Sequence, residues 1–231
     1  MEKIAFIGSL LSLFCSTHYT EAKDKMDTLT TKEQKIVTIS MYTAKGDMPN
    51  LKTALTAGLD AGWTVSEIKE VLTQLYAYCG FPRSLNALSN FMTLLQEREA
   101  KGIKDPVGKL PGPLPEGKSI DFGTANQTKL VGGPVKGELF DFAPTIDEYL
   151  KAHLFGDIFG RDNLDWKTRE ISTIAAVAAM DKVESQLNAH IAIGKNNGLT
   201  DKQIEAILAI VRGEHLPDAF PKGTEITDNF V

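Results

Sequence analysis

The chain has few cysteines and no surplus of positive charge. Its 231 residues include two cysteines, Cys15 and Cys79, too few for a disulfide framework or a four-thiolate metal site. Twenty-five Lys and Arg against 30 Asp and Glu give a formal net charge of −5. Because such a chain has no basic excess to bind phosphate backbones or anionic lipid, we expect no nucleic-acid partner.

Strand patterns and common cofactor motifs are also missing. No segment alternates polar and apolar residues long enough to predict a strand, so we expect an all-α protein. The sequence lacks the glycine-rich nucleotide loops, the His-Glu-x-x-His zinc motif and the Gly-x-Ser-x-Gly nucleophile turn. We therefore expect no cofactor and no metal, and a small molecule as the substrate.

A short, apolar and uncharged stretch lies at the N-terminus. Residues 4–15 carry no charge and follow Lys3, which is the layout of a secretory signal. Twelve residues are too few to span a bilayer, which needs about 20. We predict a signal peptide over residues 1–22 and a mature protein that is periplasmic or secreted. After removal of the signal we expect no association with a membrane. The alternative is a cytoplasmic protein with an N-terminal helix, because Glu2 offsets Lys3.

The remainder of the chain contains an internal duplication. A shift of about 135 residues aligns Leu29, Lys32, Ile36, Thr38 and Ile39 with Leu164, Lys167, Ile171, Thr173 and Ile174. One further residue of offset aligns Gly58, Gly62 and Thr64 with Gly194, Gly198 and Thr200. Two copies are too few for a solenoid, so we predict two helical units, 27–100 and 146–222, related by a pseudo-twofold axis.

Helix boundaries can be read within the first unit. Apolar residues recur at spacings of three, four and seven, which indicates amphipathic helices. Gly62 suits a left-handed helix end, and Thr64 begins a capping box for the next helix. We expect a break around Gly80 and Pro82 and a further helix over residues 84–100.

The two units are joined by residues 101–145, which are rich in proline and glycine. This stretch holds six of the ten prolines and eight of the 19 glycines. Such a composition predicts an irregular segment without helix. Apolar residues in its second half indicate that it packs on the body, so we expect an ordered linker with a mobile start.

Several strings resemble one known family. They are Tyr78-Cys79-Gly80-Phe81-Pro82-Arg83-Ser84-Leu85-Asn86-Ala87, Leu154-Phe155-Gly156-Asp157 with Arg161, Arg169-Glu170-Ile171, Gln186-Leu187-x-x-His190 and Asn197-Gly198-Leu199-Thr200. They resemble the carboxymuconolactone decarboxylase family, over about four fifths of the chain. The resemblance implies a two-repeat helical fold, but it leaves open two reactions: lactone decarboxylation and the peroxidase reaction of the alkylhydroperoxidase D type.

The peroxidase branch of that family carries Cys-x-x-Cys-x-x-x-His on the helix that here bears His190. Counting back from His190, the two cysteine positions hold Gln186 and Val183. Neither side chain forms a thiolate or a disulfide. Dithiol chemistry is therefore not expected, and a peroxidase would have to use Cys79 alone.

One acid and base pair stands out because only the second copy has it. Glu170 and His190 correspond to Lys35 and Ala54 in the first copy. If the chain turns near Asp181, antiparallel helices place Glu170 and His190 nearly level. A histidine oriented by a carboxylate suits proton transfer beside a carbonyl. We predict a catalytic pair, with a structural ion pair between helices as the alternative.

Four further side chains are candidates. Cys79, at the helix break, is either a reactive thiol or a small buried one. Arg83, His153 and Arg161 are candidate substrate-binding residues, since a guanidinium clamps a carboxylate well.

We therefore predict a decarboxylase-like enzyme acting on a small carboxylated lactone or oxo acid. The alternatives are a thiol peroxidase and a non-catalytic scaffold. We also expect a homo-oligomer, because two short helical units rarely bury all of their apolar faces. Family members with one copy per chain form trimers or hexamers, which the resemblance implies here as well.

Overall fold

The computed structural model describes residues 28–214, and their regular structure is entirely helical. The elements are α1 (Thr31–Lys45), α2 (Met48–Asp60), α3 (Val65–Gln74), α4 (Tyr76–Cys79), α5 (Phe81–Ala100), α6 (Ser119–Val131), α7 (Glu138–Phe142), α8 (Pro144–Glu148), a π-helix (Tyr149–Ile158), α9 (Trp166–Ala178), α10 (Glu184–Asn196) and α11 (Asp201–Val211). None of these helices is both long and apolar enough to cross a membrane. The predicted signal peptide, residues 1–22, lies outside the described residues.

The duplication is visible in the helix order and in the turns. Helices α1, α2 and α3 recur as α9, α10 and α11. Gly62 follows α2 and Gly198 follows α10, and both glycines adopt the left-handed backbone conformation, at φ 90° and 91°. Thr64 and Thr200 then cap the following helices with the predicted capping box. Equivalent signals in the two copies therefore give equivalent local structure.

The core forms where the first helices of the two units, α1 and α9, pack against each other. Ile36, Ile39, Ile171 and Ile174 are all fully buried in one hydrophobic cluster. Within it, the Ser40 hydroxyl donates a hydrogen bond of 2.9 Å to Ser172, which satisfies both polar groups. The two units therefore share one core, which positions α9 for the site described below.

The prediction that residues 101–145 contain no helix is wrong. Helix α6 runs through the middle of this stretch and packs along the π-helix. A Cβ on Gly123 would lie 1.9 Å from the Lys151 carbonyl oxygen, and one on Gly156 would lie 2.6 Å from that of Ser119. The glycines here permit close helix packing rather than breaking a helix. All six prolines of the stretch lie outside α6.

The break predicted after α4 occurs at Gly80, which has φ 85°. Helix α5 begins at Phe81, earlier than the predicted start at residue 84, because Pro82 lies in its first turn. Proline is tolerated there, since the first amide groups of a helix have no partner within it. The short helix α4 consequently projects Tyr78 towards the second unit.

Candidate functional site

Glu170 and His190 meet between α9 and α10. The imidazole Nδ1 lies 2.9 Å from Oε2 of the Glu170 carboxylate. The connecting turn contains Lys182 at φ 63°, a conformation that is uncommon for a residue other than glycine. The Glu170 side chain is fully buried and the His190 side chain is 12% exposed. The structure thus brings the predicted pair into direct contact beneath the surface.

The two remaining polar atoms of the pair have no hydrogen-bond partner among residues 28–214. Glu170 Oε1 is buried and has no hydrogen-bond partner among the described residues. A buried acceptor without a partner costs about 1–3 kcal/mol, so it favours a bound donor. With an ionised Glu170, the imidazole proton lies on Nδ1, which leaves the Nε2 lone pair free to accept a proton. This arrangement can perform general acid–base chemistry.

Tyr78 is a site residue that the sequence analysis did not single out. Its ring packs edge-on against the His190 ring, with centroids 5.2 Å apart and planes at 81°. Its hydroxyl is buried beside the Thr173 side chain and makes no hydrogen bond of ordinary geometry within residues 28–214. Burial, and secondarily the charge of Glu170, raises the pKa of this phenol strongly, so it stays protonated. The first unit thereby supplies one wall of a site whose acid and base belong to the second.

Cys79 follows Tyr78 but points elsewhere. Its Sγ donates to the Leu75 carbonyl oxygen at 3.1 Å, one turn back along the chain. Burial raises the pKa of the thiol, and the nearby Arg83 guanidinium lowers it by less. Arg83 is exposed at the start of α5. The structure thus pairs Arg83 with the thiol electrostatically rather than with Glu170 and His190.

His153 lies on the π-helix, and both of its ring nitrogens are hydrogen-bonded. Nδ1 lies 2.9 Å from Asp157 Oδ2, and Nε2 is hydrogen-bonded to the Tyr76 hydroxyl. Burial tends to raise the pKa of Asp157, but hydrogen bonds from Ser119 and His153 outweigh it and lower that pKa. These contacts fasten the π-helix to α4 and α6, and none of them involves Glu170 or His190.

Arg161 belongs to a buried ion cluster that the sequence did not reveal. Its Nε donates to both carboxylate oxygens of Glu70, at 2.9 and 3.0 Å. The fully buried Arg169 donates to the same carboxylate at 2.9 Å and to Gln74 at 3.0 Å. Arg161 is thus a partner of Glu70, and the structure shows no contact between it and the Glu170–His190 pair.

The helix that carries His190 has no sulfur at the positions used by the peroxidase branch. Val183 precedes the first residue of α10, and Gln186 is exposed in its first turn. No three His, Cys, Asp or Glu side chains within residues 28–214 cluster as metal ligands would. The site therefore consists of a carboxylate, an imidazole and a phenol.

Comparison with known families agrees with this architecture. The model of the carboxymuconolactone decarboxylase family matches residues 11–90 and 144–215, which is more than half of the chain. The chain therefore belongs to the carboxymuconolactone decarboxylase family, with two segments of the family fold in one polypeptide. No curated protein matches the sequence.

Proposed function

We propose that the protein is an enzyme that performs acid–base chemistry on a small carboxylated lactone or a related oxo acid, using its side chains alone. The observation that carries this proposal is the Glu170–His190 pair, buried yet left with one unpartnered carboxylate oxygen. The first copy holds Lys35 and Ala54 at the equivalent positions. A need of the fold alone would act on both copies, so the asymmetry favours a chemical role.

The proposed reaction follows from the free Nε2 of His190. This nitrogen accepts a proton from the carbon beside the substrate carbonyl, and the electron pair of the broken C–H bond moves onto the carbonyl oxygen as an enolate. The Glu170 carboxylate, hydrogen-bonded to Nδ1, stabilises the imidazolium. If the substrate instead loses carbon dioxide, the electrons of the broken C–C bond form the enolate. His190, protonated beforehand from solvent, then donates its proton to carbon.

The two alternative functions have weaker support. A peroxidase would need the Cys79 thiolate, but burial raises the pKa of that thiol and so lowers the thiolate fraction at neutral pH. A non-catalytic scaffold would not need an unpartnered carboxylate oxygen in its core. Both alternatives are nevertheless outcomes of the test below.

Proton transfer can be tested before the natural substrate is known. We would incubate the full chain with a panel of small carboxylated lactones and 2-oxo acids in D₂O, and follow deuterium uptake and carbon dioxide loss by NMR. At least one compound should react, and Glu170→Gln should slow that reaction about 100-fold because the imidazolium loses its counter-charge. An exposed neighbour of His190 provides the control variant, Asn188→Ala, which should react as wild type.

Two outcomes would contradict the proposal. Consumption of hydroperoxides that depends on Cys79, with no reaction of any lactone or oxo acid, would favour the peroxidase. Reaction of a lactone at the same rate in wild type and Glu170→Gln would show that the pair is structural.

We also propose that the chain is exported and that it self-associates, as a trimer or a hexamer. Phe81, Leu85 and Met92 lie four and seven residues apart on α5 and are 61%, 60% and 56% exposed. This spacing forms one apolar stripe along the helix, and helices pair through stripes of this kind. A second copy of the chain is the partner we propose, because closed homo-oligomers present the same surface patch on each subunit.

A further inference from the structure

A cavity lies apart from the Glu170–His190 pair. It has a volume of about 330 Å³, and its walls include Pro115, Asn126, Phe159, Arg161 and Trp166. None of Glu170, His190 and Tyr78 lines it. This volume falls at the lower end of the range for small-molecule sites, which suits a compound with one ring.

Arg161 connects the cavity wall to a cluster that has more positive than negative charge. Two guanidinium groups, those of Arg161 and Arg169, share the single carboxylate of Glu70. Arg169 and Glu70 are buried, whereas the Arg161 side chain is 37% exposed. Only Nε of Arg161 binds Glu70, and its two terminal nitrogens make no hydrogen bond with any residue that the structure describes. Arg161 therefore presents two free donors and one unneutralised charge.

The acidic residues of the wall are already satisfied by the chain itself. Asp162 accepts hydrogen bonds from the Gly112 amide at 2.8 Å and from Lys109 Nζ at 2.6 Å. Asp165 caps α9, and its two oxygens accept from the amide and the hydroxyl of Thr168, at 2.9 and 2.8 Å. Neither carboxylate is hydrogen-bonded to Arg161, so its terminal nitrogens favour a ligand that accepts hydrogen bonds, and Lys129 beside Trp166 offsets the negative charge of Asp165.

Two aromatic residues, Phe159 and Trp166, form a further part of the wall. The indole nitrogen of Trp166 donates to the Phe159 carbonyl oxygen at 2.9 Å, which fixes the ring orientation. Lys129 Nζ lies 5.2 Å from the centroid of the Trp166 ring and adds a second positive charge nearby. A flat ligand can pack on these rings while its acceptor atoms reach Arg161.

We propose that this cavity binds a small planar carboxylate, with its ring against Trp166 and its two oxygens on the free nitrogens of Arg161. A guanidinium matches the carboxylate in both charge and fork geometry. The ligand would neutralise the surplus charge that Glu70 leaves. The proposal concerns a site separate from the Glu170–His190 pair and does not depend on the reaction there.

Calorimetric titration of the full chain with benzoate tests the site directly. Benzoate should bind saturably, and benzamide, its uncharged analogue, at least about tenfold more weakly, because a charge-assisted pair is replaced by a neutral one. Arg161→Gln should weaken benzoate binding by about tenfold or more. Arg212→Gln, which removes an exposed arginine on α11's C-terminal end, should leave it unchanged.

Wild-type protein alone can overturn the proposal, so the test does not depend on whether Arg161→Gln folds. Absence of saturable binding of benzoate, or equal binding of benzoate and benzamide, would contradict it. Inorganic phosphate that displaced benzoate with equal affinity would contradict the planar ligand. Since binding is measured without turnover, these results are distinct from any result on the Glu170–His190 reaction.

Discussion

His190 Nδ1 and Glu170 Oε2 lie 2.9 Å apart across two helices that run in opposite directions. Glu170 lies 11 residues before Asp181 in the turn and His190 nine residues after it, so helices that rise about 1.5 Å per residue place the two nearly level. Tyr78 from the other unit packs against the same imidazole. The site is therefore shared between the two units, although its acid and base come from one.

Removing the charge of Glu70 should destabilise the protein strongly. Glu70→Gln leaves the fully buried Arg169 without its anionic partner, and an uncompensated buried charge costs about 3–5 kcal/mol. Urea unfolding followed by circular dichroism measures this loss. Glu97→Gln is the matched control, because it removes an exposed partner of Lys52 and should leave the free energy of unfolding unchanged. Equal effects of the two variants would refute the importance of the cluster.

The hydroxyl and the ring of Tyr78 should contribute differently to stability. Tyr78→Phe removes a buried hydroxyl that makes no hydrogen bond of ordinary geometry among the described residues, so the free energy of unfolding should change by less than about 1 kcal/mol. Tyr78→Ala also removes the packing against His190 and should cost about 2–4 kcal/mol. Thermal and urea unfolding compare the two variants. A large loss in Tyr78→Phe would show that the hydroxyl has a bonding partner.

Alkylation of Cys79 should require a higher pH than alkylation of a free cysteine. Burial raises the pKa of the thiol, and the thiolate is the form that reacts. The measurement uses the Cys15→Ser variant, in which Cys79 is the only thiol. The pH at which iodoacetamide labels Cys79 at half the maximal rate should be higher than the corresponding pH for N-acetylcysteine. Arg83→Ala should move it higher still, because the guanidinium lowers this pKa. A midpoint below that of the free thiol would revive the peroxidase hypothesis.

A charge in the apolar stripe of α5 should prevent self-association. Leu85→Asp places a carboxylate among Phe81, Leu85 and Met92, and burying it between two copies would cost more than the contact yields. In sedimentation velocity experiments the wild-type protein should sediment as an oligomer and Leu85→Asp as a monomer. Asn86→Asp adds the same charge beside the stripe and should leave the oligomer intact. A wild-type monomer at micromolar concentration would rule out the proposed assembly.

The sequence predicted the helices that follow local rules. Capping residues and left-handed turns act within a few residues of the chain, so their effects can be predicted directly from the sequence. Examples are Thr64, Thr200 and Gly62. Helix α6 was missed because its composition was averaged with that of its proline-rich flanks. The level placement of Glu170 and His190 followed from helix rise alone.

Contacts between the units could not be predicted in the same way. Glu70 and Arg169 are 99 residues apart in the chain, and no spacing rule connects them. Both read as ordinary charged residues on amphipathic helices until the packing of α3 and α9 is known. Tyr78 belonged to a recognised string, but its contact with His190 depends on how α4 meets the second unit.

Turnover by His190→Ala tests the central claim most directly. On a lactone or oxo acid that the wild-type protein converts, this variant should retain about 1% of the activity or less, because the group that transfers the proton is gone. Circular dichroism should show that it remains folded, and Asn188→Ala on the same helix should keep full activity. Equal turnover by folded His190→Ala and wild type would contradict the account and leave the pair a structural contact.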